Sequence, residues 1–321
     1  MQKNIVAEPQ LAGQGKQKIE WVKRNMPILR QIEDDFRKHQ YFSGLRVLVC
    51  IHLEAKTAYL AQVFAAGGAE VAVTGSNPHS TKDDVVAALA EEGMHVYARY
   101  GATPEEMRQY MNRALDVRPN IMIDDGGDIA ELLHTERQEL LPEVLGACEE
   151  TTTGVLRAKA RAKAGVLEFP VVLINDARCK YLFDNYHGTG QSVWDGVMRT
   201  TNLVVSGKTV VIIGYGWCGK GCAERAQGLG ANVIVCEVDP IKAADALMHG
   251  LRVMPLNQAV PEGDIILTVT GGKHVIRQEH YERMKGGVIL ANAGHFKIEF
   301  DLDALLNLSV EQKEMRHNRT G

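Results

Sequence analysis

The sequence predicts an α/β protein of two doubly wound, parallel-sheet units of Rossmann type, a substrate-binding unit followed by a dinucleotide-binding one. Three observations predict it. Short β-branched runs alternate with helical segments through nearly the whole chain, the pattern of a parallel sheet covered by helices. The stretch from Val210 to Glu237 carries the full context of a dinucleotide fingerprint. Polar residues crowd the carboxyl ends of several runs, which is where ligands sit in such sheets.

Taken in order, residues 1–16 are polar and are expected to be loose. From about Lys18 to Lys38, Ile19, Val22, Met26, Ile28, Leu29, Ile32 and Phe36 fall at helical spacing and predict one amphipathic helix. Strands are expected at Gly44–Leu53, Glu70–Thr74, His95–Tyr97, Ile121–Ile123, Val144–Cys148 and Val171–Ile174. Helices are expected between them at Ala58–Ala66, Lys82–Glu92, Pro104–Leu115 and Thr152–Lys163, then from about Gln191 to Val205. The turn-rich segment Gly188–Gly190 precedes this last helix, so the first domain is expected to span 1–189 and the second 190–321.

The second domain opens with Val210–Ile213, a run suited to a strand buried on both faces. It enters Gly214-x-Gly216-x-x-Gly219, followed by helical spacing, a stop at Gly230 and a second strand, Asn232–Cys236. Gly214 permits the tight turn, Gly216 leaves room for a pyrophosphate, and Gly219 lets helix and strand approach. Glu237 stands 18 residues after Gly219, at the second strand's end, where a carboxylate accepts from ribose hydroxyls and repels a 2′-phosphate. That favours NAD over NADP. Strands at Gly263–Thr268 and Gly287–Ala291, with helices at Ile241–Met248 and about Arg277–Met284, are expected to complete the sheet.

Bulk properties narrow the function. A chain of 321 residues suggests two domains, and the balance of 36 basic against 40 acidic side chains gives no footprint for nucleic acid. No apolar run is long enough to span a membrane, and MQKNIVAEPQ lacks the apolar segment of a signal peptide. The six cysteines, without a CxxC pair, read as reduced thiols, so a cytoplasmic location is expected. No metal-ligand cluster and no GxSxG is present in the sequence, which leaves little for metal or serine-nucleophile chemistry.

Four strand ends are loaded with polar groups: Cys50-Ile51-His52 leading to Glu54 and Lys56; Asp124-Asp125-Gly126-Gly127-Asp128; Glu149-Glu150-Thr151-Thr152-Thr153-Gly154; and Asn175-Asp176. Each has a structural alternative. The threonines and glutamates can cap a helix, the aspartates can form an Asx turn, and Lys180 with Asp184 can be an ordinary helix-face ion pair. Three consecutive threonines exceed what one cap requires, and Lys180 follows directly on Asn175-Asp176.

These stretches together resemble the S-adenosyl-L-homocysteine hydrolase family over essentially the whole chain. The motifs are DDGGD at Asp124–Asp128, EETTTG at Glu149–Gly154, Asn175-Asp176 with Lys180 and Phe183–Asn185, GYGxxGKG at Gly214–Gly221, Glu237-x-Asp239-Pro240 and Asn292-x-Gly294-His295-Phe296. HLEAKTA at His52–Ala58, GSNPHSTKDD at Gly75–Asp84 and YGWCG at Tyr215–Gly219 are similar to the archaeal and thermophilic-bacterial branch. The resemblance implies a tightly bound NAD that transiently oxidises the ribose 3′-hydroxyl of S-adenosylhomocysteine, elimination of homocysteine, addition of water, and return of the hydride. It also implies a homotetramer and a nucleoside thioether as the small-molecule partner.

By the same resemblance His52 and Asp125 handle protons at the 5′ position, while Glu150, Lys180 and Asp184 hold the ribose hydroxyls and assist proton removal. Glu54, Lys56, Thr57, Asn185 and His295 line the substrate pocket. Thr151, Thr152, Thr153 and Asn185 reach the cofactor along with Gly214, Gly216, Gly219, Glu237, Thr270 and Asn292. Two departures stand out. Where the eukaryotic pattern has Thr and Glu beside the purine, this chain has Glu54 and Lys56, and a lysine, which only donates, suits a carbonyl at purine C6. S-inosylhomocysteine is therefore an alternative substrate. The family pattern also continues past Arg319-Thr320-Gly321, so a truncated or partly represented member is expected, with its assembly and activity affected. Two other readings stay open: a dehydrogenase that exchanges free cofactor, and a catalytically silent NAD-binding module.

Overall fold

The computed structural model describes residues 4–294 and 297–313. Two compact units, Met1–Asn175 and Asp176–Gly321, divide the chain.

In the first unit, helices α1 (Ala12–Arg24) and α2 (Pro27–His39) precede β1 (Arg46–Ile51), α3 (Ala55–Ala66), β2 (Glu70–Gly75), α4 (Asp83–Glu91), β3 (His95–Tyr97) and α5 (Pro104–Leu115). There follow β4 (Ile121–Asp124), α6 (Asp128–Thr135), β5 (Gly146–Glu149), α7 (Thr152–Lys163) and β6 (Val171–Leu173). The six strands run parallel in the order β3-β2-β1-β4-β5-β6, the doubly wound Rossmann order. Alternation along β1 sets the two cores: Val47, Val49 and Ile51 face one helical layer, Leu48 and Cys50 the other. Because helices cover both faces, β1 is apolar at every position after Arg46.

The second unit begins with one helical turn, α8 (Arg178–Lys180), and a π-helical segment, Tyr181–Gly188. It continues with α9 (Thr189–Thr201), β7 (Thr209–Ile213), α10 (Trp217–Gly228), β8 (Asn232–Cys236), α11 (Pro240–Met248), β9 (Arg252–Val253), α12 (Leu256–Ala259), β10 (Ile265–Thr268), α13 (Gln278–Tyr281), β11 (Ile289–Asn292) and α14 (Leu302–Leu308). Five parallel strands take the order β11-β10-β7-β8-β9, the same winding with one strand fewer. Val210 and Ile212 enter one core and Val211 and Ile213 the other.

Three sequence expectations are corrected. Residues 12–16 are helical rather than loose, with Ala12 and Gly15 buried. The single helix expected from Lys18 to Lys38 is two, since Pro27 has no N–H for a continuing helix and serves instead as the first residue of α2. The segment before α9 is not a turn but a π-helix, a form that recurs at functional sites. Apart from these three, residues 176–189 pack within the second compact unit, which leaves the expected domain boundary near 189 untested.

Candidate active site

In the first unit the polar strand ends meet at the carboxyl edge of the sheet. Paired register puts Cys50 opposite Asp124 and Asp124 opposite Glu149, so β1, β4 and β5 deliver their following residues side by side. His52 leaves the end of β1 with Nε2 3.5 Å from Asp125 Oδ2 and Nδ1 2.6 Å from Ser80 Oγ. Asp125 is 3% exposed and also accepts from the Ser76 hydroxyl at 2.7 Å. The Thr57 hydroxyl donates to the His52 carbonyl at 2.5 Å, which fixes the backbone under the imidazole. Glu54 caps α3, accepting from the Lys56 N–H at 2.9 Å, while the Lys56 side chain is exposed.

Beneath this surface lie two buried carboxyls. Asp124 accepts from the N–H groups of Asp125 and Ala130, and Glu149 from those of Gly126 and Thr151. Burial, then the charge of Glu149, pushes Asp124 up to about 8. Burial likewise pushes Glu149 up to about 7, against the two N–H donors that favour its charged form. Each carboxyl therefore ties down a loop that carries a candidate catalytic side chain: Asp125 in one case, Glu150 in the other. The loop bends through Gly126 and Gly127 at φ of 102° and 79°, left-handed values that a glycine adopts without strain. A Cβ at Gly154 would stand 2.0 Å from the Glu149 carboxyl carbon, so α7 starts hard against that group.

The capping alternative for the threonines does not describe α7. Thr151 occupies the N-cap position with extended backbone, yet its side chain makes no capping bond. Thr152 Oγ1 accepts instead from Asn175 Nδ2 at 3.2 Å.

In the second unit the fingerprint turn has the expected build. Gly214 sits at φ 100°, its missing Cβ 3.0 Å from the Thr270 methyl. A Cβ on Gly219 would stand 2.1 Å from the Gly214 carbonyl oxygen, whereas one on Gly216 would meet nothing within 4 Å. Tight packing at Gly219 and open space at Gly216 are what a pyrophosphate approaching the amino end of α10 requires. Burial works against ionisation of Glu237, but N–H donors from Asp239, Tyr215 and Val238 outweigh it and hold the carboxyl below the usual range. A charged acceptor thus stands at the end of β8, so the residues present fit NAD.

Lys180 and Asp184 form an i,i+4 pair at 3.4 Å, and Lys180 Nζ donates to Asn185 Oδ1 at 2.9 Å. The lysine side chain is 12% exposed and that of Asp184 61%. Thr270 follows β10 and donates through both N–H and hydroxyl to Glu299, at 2.8 and 2.6 Å. Asn292 ends β11 and accepts from the Thr268 hydroxyl and the Gly294 N–H. His295 lies outside the described residues. The predicted residues thus fall into two groups, one per unit: His52, Glu54, Lys56, Thr57, Asp125, Glu150 and Thr151–Thr153 at or just after strand ends of the first, and Lys180, Asp184 and Asn185 with the fingerprint in the second.

Sequence reasoning missed Ser76, Ser80 and Glu299, the groups that hold Asp125, His52 and Thr270. The two serines stand inside GSNPHSTKDD, which marks a branch but gives neither a role, and Glu299 ends a single 3-10 turn with no motif around it.

A family model described as "S-adenosyl-L-homocysteine hydrolase" matches residues 3–142, and one described as "S-adenosyl-L-homocysteine hydrolase, NAD binding domain" matches 185–320. An adenosylhomocysteinase from Pyrococcus abyssi is 55% identical over 315 residues, 98% of this chain and 75% of the relative. An S-inosyl-L-homocysteine hydrolase from Methanopyrus kandleri is 56% identical over 311 residues, 97% of this chain and 73% of the relative. Among solved structures, a dipicolinate synthase from Bacillus halodurans aligns over 83% of this chain and 87% of its own, with a TM-score of 0.51 at 13% identity, a likeness of fold alone. Fingerprint geometry, paired strand-end clusters and identity above one half along nearly the whole chain agree: the chain belongs to the S-adenosyl-L-homocysteine hydrolase family and carries that family's NAD-binding domain.

Proposed function

We propose that this protein hydrolyses S-adenosyl-L-homocysteine to adenosine and homocysteine, reversibly, with NAD retained through the cycle. The observation that carries the reading is the Lys180 ammonium, largely withdrawn from solvent and held 2.9 Å from Asn185 Oδ1 in the same unit as the dinucleotide turn. When bound, NAD supplies a hydride acceptor that is restored by the end of the reaction, so that net chemistry is hydrolysis. Gly214, Gly216, Gly219, Glu237, Thr270 and Asn292 would hold the cofactor, and Thr151, Thr152 and Thr153 are assigned to it by the family resemblance.

Once its ammonium has given up one proton to solvent, Lys180 as the neutral amine takes the proton of the ribose 3′-hydroxyl, with Asp184 and Asn185 orienting it. Glu150 binds the ribose hydroxyls and assists removal of the proton next to the carbonyl carbon. His52 moves the proton at the 5′ position, giving it to the departing homocysteine sulfur and directing the incoming water. Asp125, gripped by Ser76, keeps the imidazole in place. His295 is assigned to the substrate pocket with Asn185. This division of labour puts the functional boundary of the substrate domain near 189, although residues 176–189 pack within the second compact unit.

A second reading, S-inosyl-L-homocysteine as substrate, is favoured by the first turn of α3. One oxygen of Glu54 accepts from the Lys56 N–H, and the exposed Lys56 ammonium beside it is a donor suited to a C6 carbonyl. Relatives bearing either name match at 55% and 56% identity. Incubating the protein with each thioether in turn and titrating free thiol tests both readings. Thiol from S-adenosylhomocysteine supports the first, thiol from S-inosylhomocysteine alone supports the second, and none from either contradicts both. We place the protein in the cytoplasm as a homo-oligomer. Among the described residues no helix is long and apolar enough to cross a membrane, and all six cysteines are free thiols.

A further inference from the structure

Of the three side-chain-bearing positions in the fingerprint, Tyr215, Trp217 and Cys218, the last two engage the segment that carries Lys180. Trp217 stacks on Tyr181 with ring centroids 4.8 Å apart and planes 25° from parallel. The Cys218 sulfur lies 3.4 Å from Asn185 Nδ2, and the other end of that amide meets Lys180 Nζ. Backbone packing closes the same join, since a Cβ on Gly221 would stand 1.8 Å from the Tyr186 carbonyl oxygen.

Donor chemistry sets the direction of this chain of contacts. An ammonium only donates, so Lys180 fixes Asn185 with its amide oxygen inward. The amide N–H groups then point at the sulfur, which accepts. That leaves the thiol proton for Thr189 Oγ1, 3.8 Å from the sulfur. The order runs one way, from Lys180 through Asn185 and Cys218 to Thr189. An apolar side chain at 218 would remove the acceptor that keeps the amide in this orientation, and an amide turned over would present N–H to the ammonium.

We propose that Cys218 is a positioning residue, which fixes the Asn185 amide and through it the Lys180 amine against the dinucleotide turn. The assignment rests on the reading of Lys180 as the proton-moving amine. Its test uses the full chain as native protein and as Cys218→Val, Cys218→Ser and Lys180→Ala. One readout, taken without substrate, is the rate at which trinitrobenzenesulfonate labels Lys180 at fixed pH, followed on its peptide by mass spectrometry. The other is kcat and KM for thioether hydrolysis.

Loss of one hydrogen-bond acceptor predicts that Cys218→Val labels Lys180 about threefold faster and loses about fivefold in kcat with little change in KM. Cys218→Ser, which can accept the same bond, returns both toward native values. Native labelling and native kcat in Cys218→Val would overturn the proposal. Should that variant fail to fold, Thr189→Val carries the test: freeing the thiol proton to turn toward the amide speeds labelling in the same direction, and unchanged labelling overturns the proposal. Undiminished turnover in Lys180→Ala would instead sink the reading of the lysine itself, whereas an inactive Lys180→Ala beside a native-like Cys218→Val removes only the role of the cysteine.

Discussion

At the scale of single residues, the His52 ring is held by groups with different demands. Ser80 gives its one proton to the Asn77 carbonyl at 3.1 Å, so toward Nδ1 it offers an oxygen that accepts. The Asp125 carboxylate stands on the other side, 3.5 Å from Nε2. Both ring nitrogens therefore face acceptors, an arrangement suited to delivering a proton to a departing sulfur. The buried pair behind them has a consequence for pH. Asp124 and Glu149 ionise near ordinary carboxylate values in the unfolded chain, but only at about 8 and about 7 when folded. Between those limits the folded state holds the extra protons, so stability falls as pH rises, by up to about 1 kcal/mol per pH unit for each group. Asp124→Asn should flatten that slope: its melting temperature, followed from about pH 5 to pH 8, should decline less than that of the native protein. Equal slopes would mean the pair carries no proton across that window. His52 and Asp125 were legible in the sequence as polar residues at strand ends. Asp124 and Glu149 were legible only as parts of motifs, because a buried carboxyl looks like an exposed one until the register is known.

At the scale of elements, the dinucleotide turn separates two kinds of glycine. A methyl group at Gly219 would overlap the Gly214 carbonyl, while one at Gly216 enters open space. Gly219→Ala should therefore cost about 1–3 kcal/mol of stability through overpacking. Gly216→Ala should melt like the native protein and yet lose NAD, since the added methyl occupies the room left for the pyrophosphate. Calorimetry with and without NAD checks both, and normal NAD retention in Gly216→Ala would count against the fit. Strand β8 and helices α5 and α7 were readable to the residue. In α5 the Thr103–Glu106 capping box and Pro104 mark the start unmistakably. The break at Pro27 was obscured by apolar spacing that continues across it. The two-residue strand β9 and the π-helix have no periodicity to read, since one is too short and the other exists through its packing on α9 and α10.

At the scale of the whole molecule, two sheets wound in the same strand order each end in a polar cluster, and the reading assigns one cluster to the purine and the 5′ chemistry and the other to the nicotinamide. Family membership was legible because several motifs occur in the right order, each weak alone. Substrate choice was less legible, because it turns on two side chains at the start of α3 whose targets belong to the ligand. The central claim is that the nicotinamide is a temporary electron store, returned to its starting state at every turnover. The direct measurement is to follow free thiol and nicotinamide absorbance together during turnover of the thioether that the protein accepts. Thiol should be released over many turnovers while reduced cofactor stays below one equivalent of protein and none appears in solution. Reduced nicotinamide accumulating in solution in step with product would contradict it and point to an ordinary dehydrogenase.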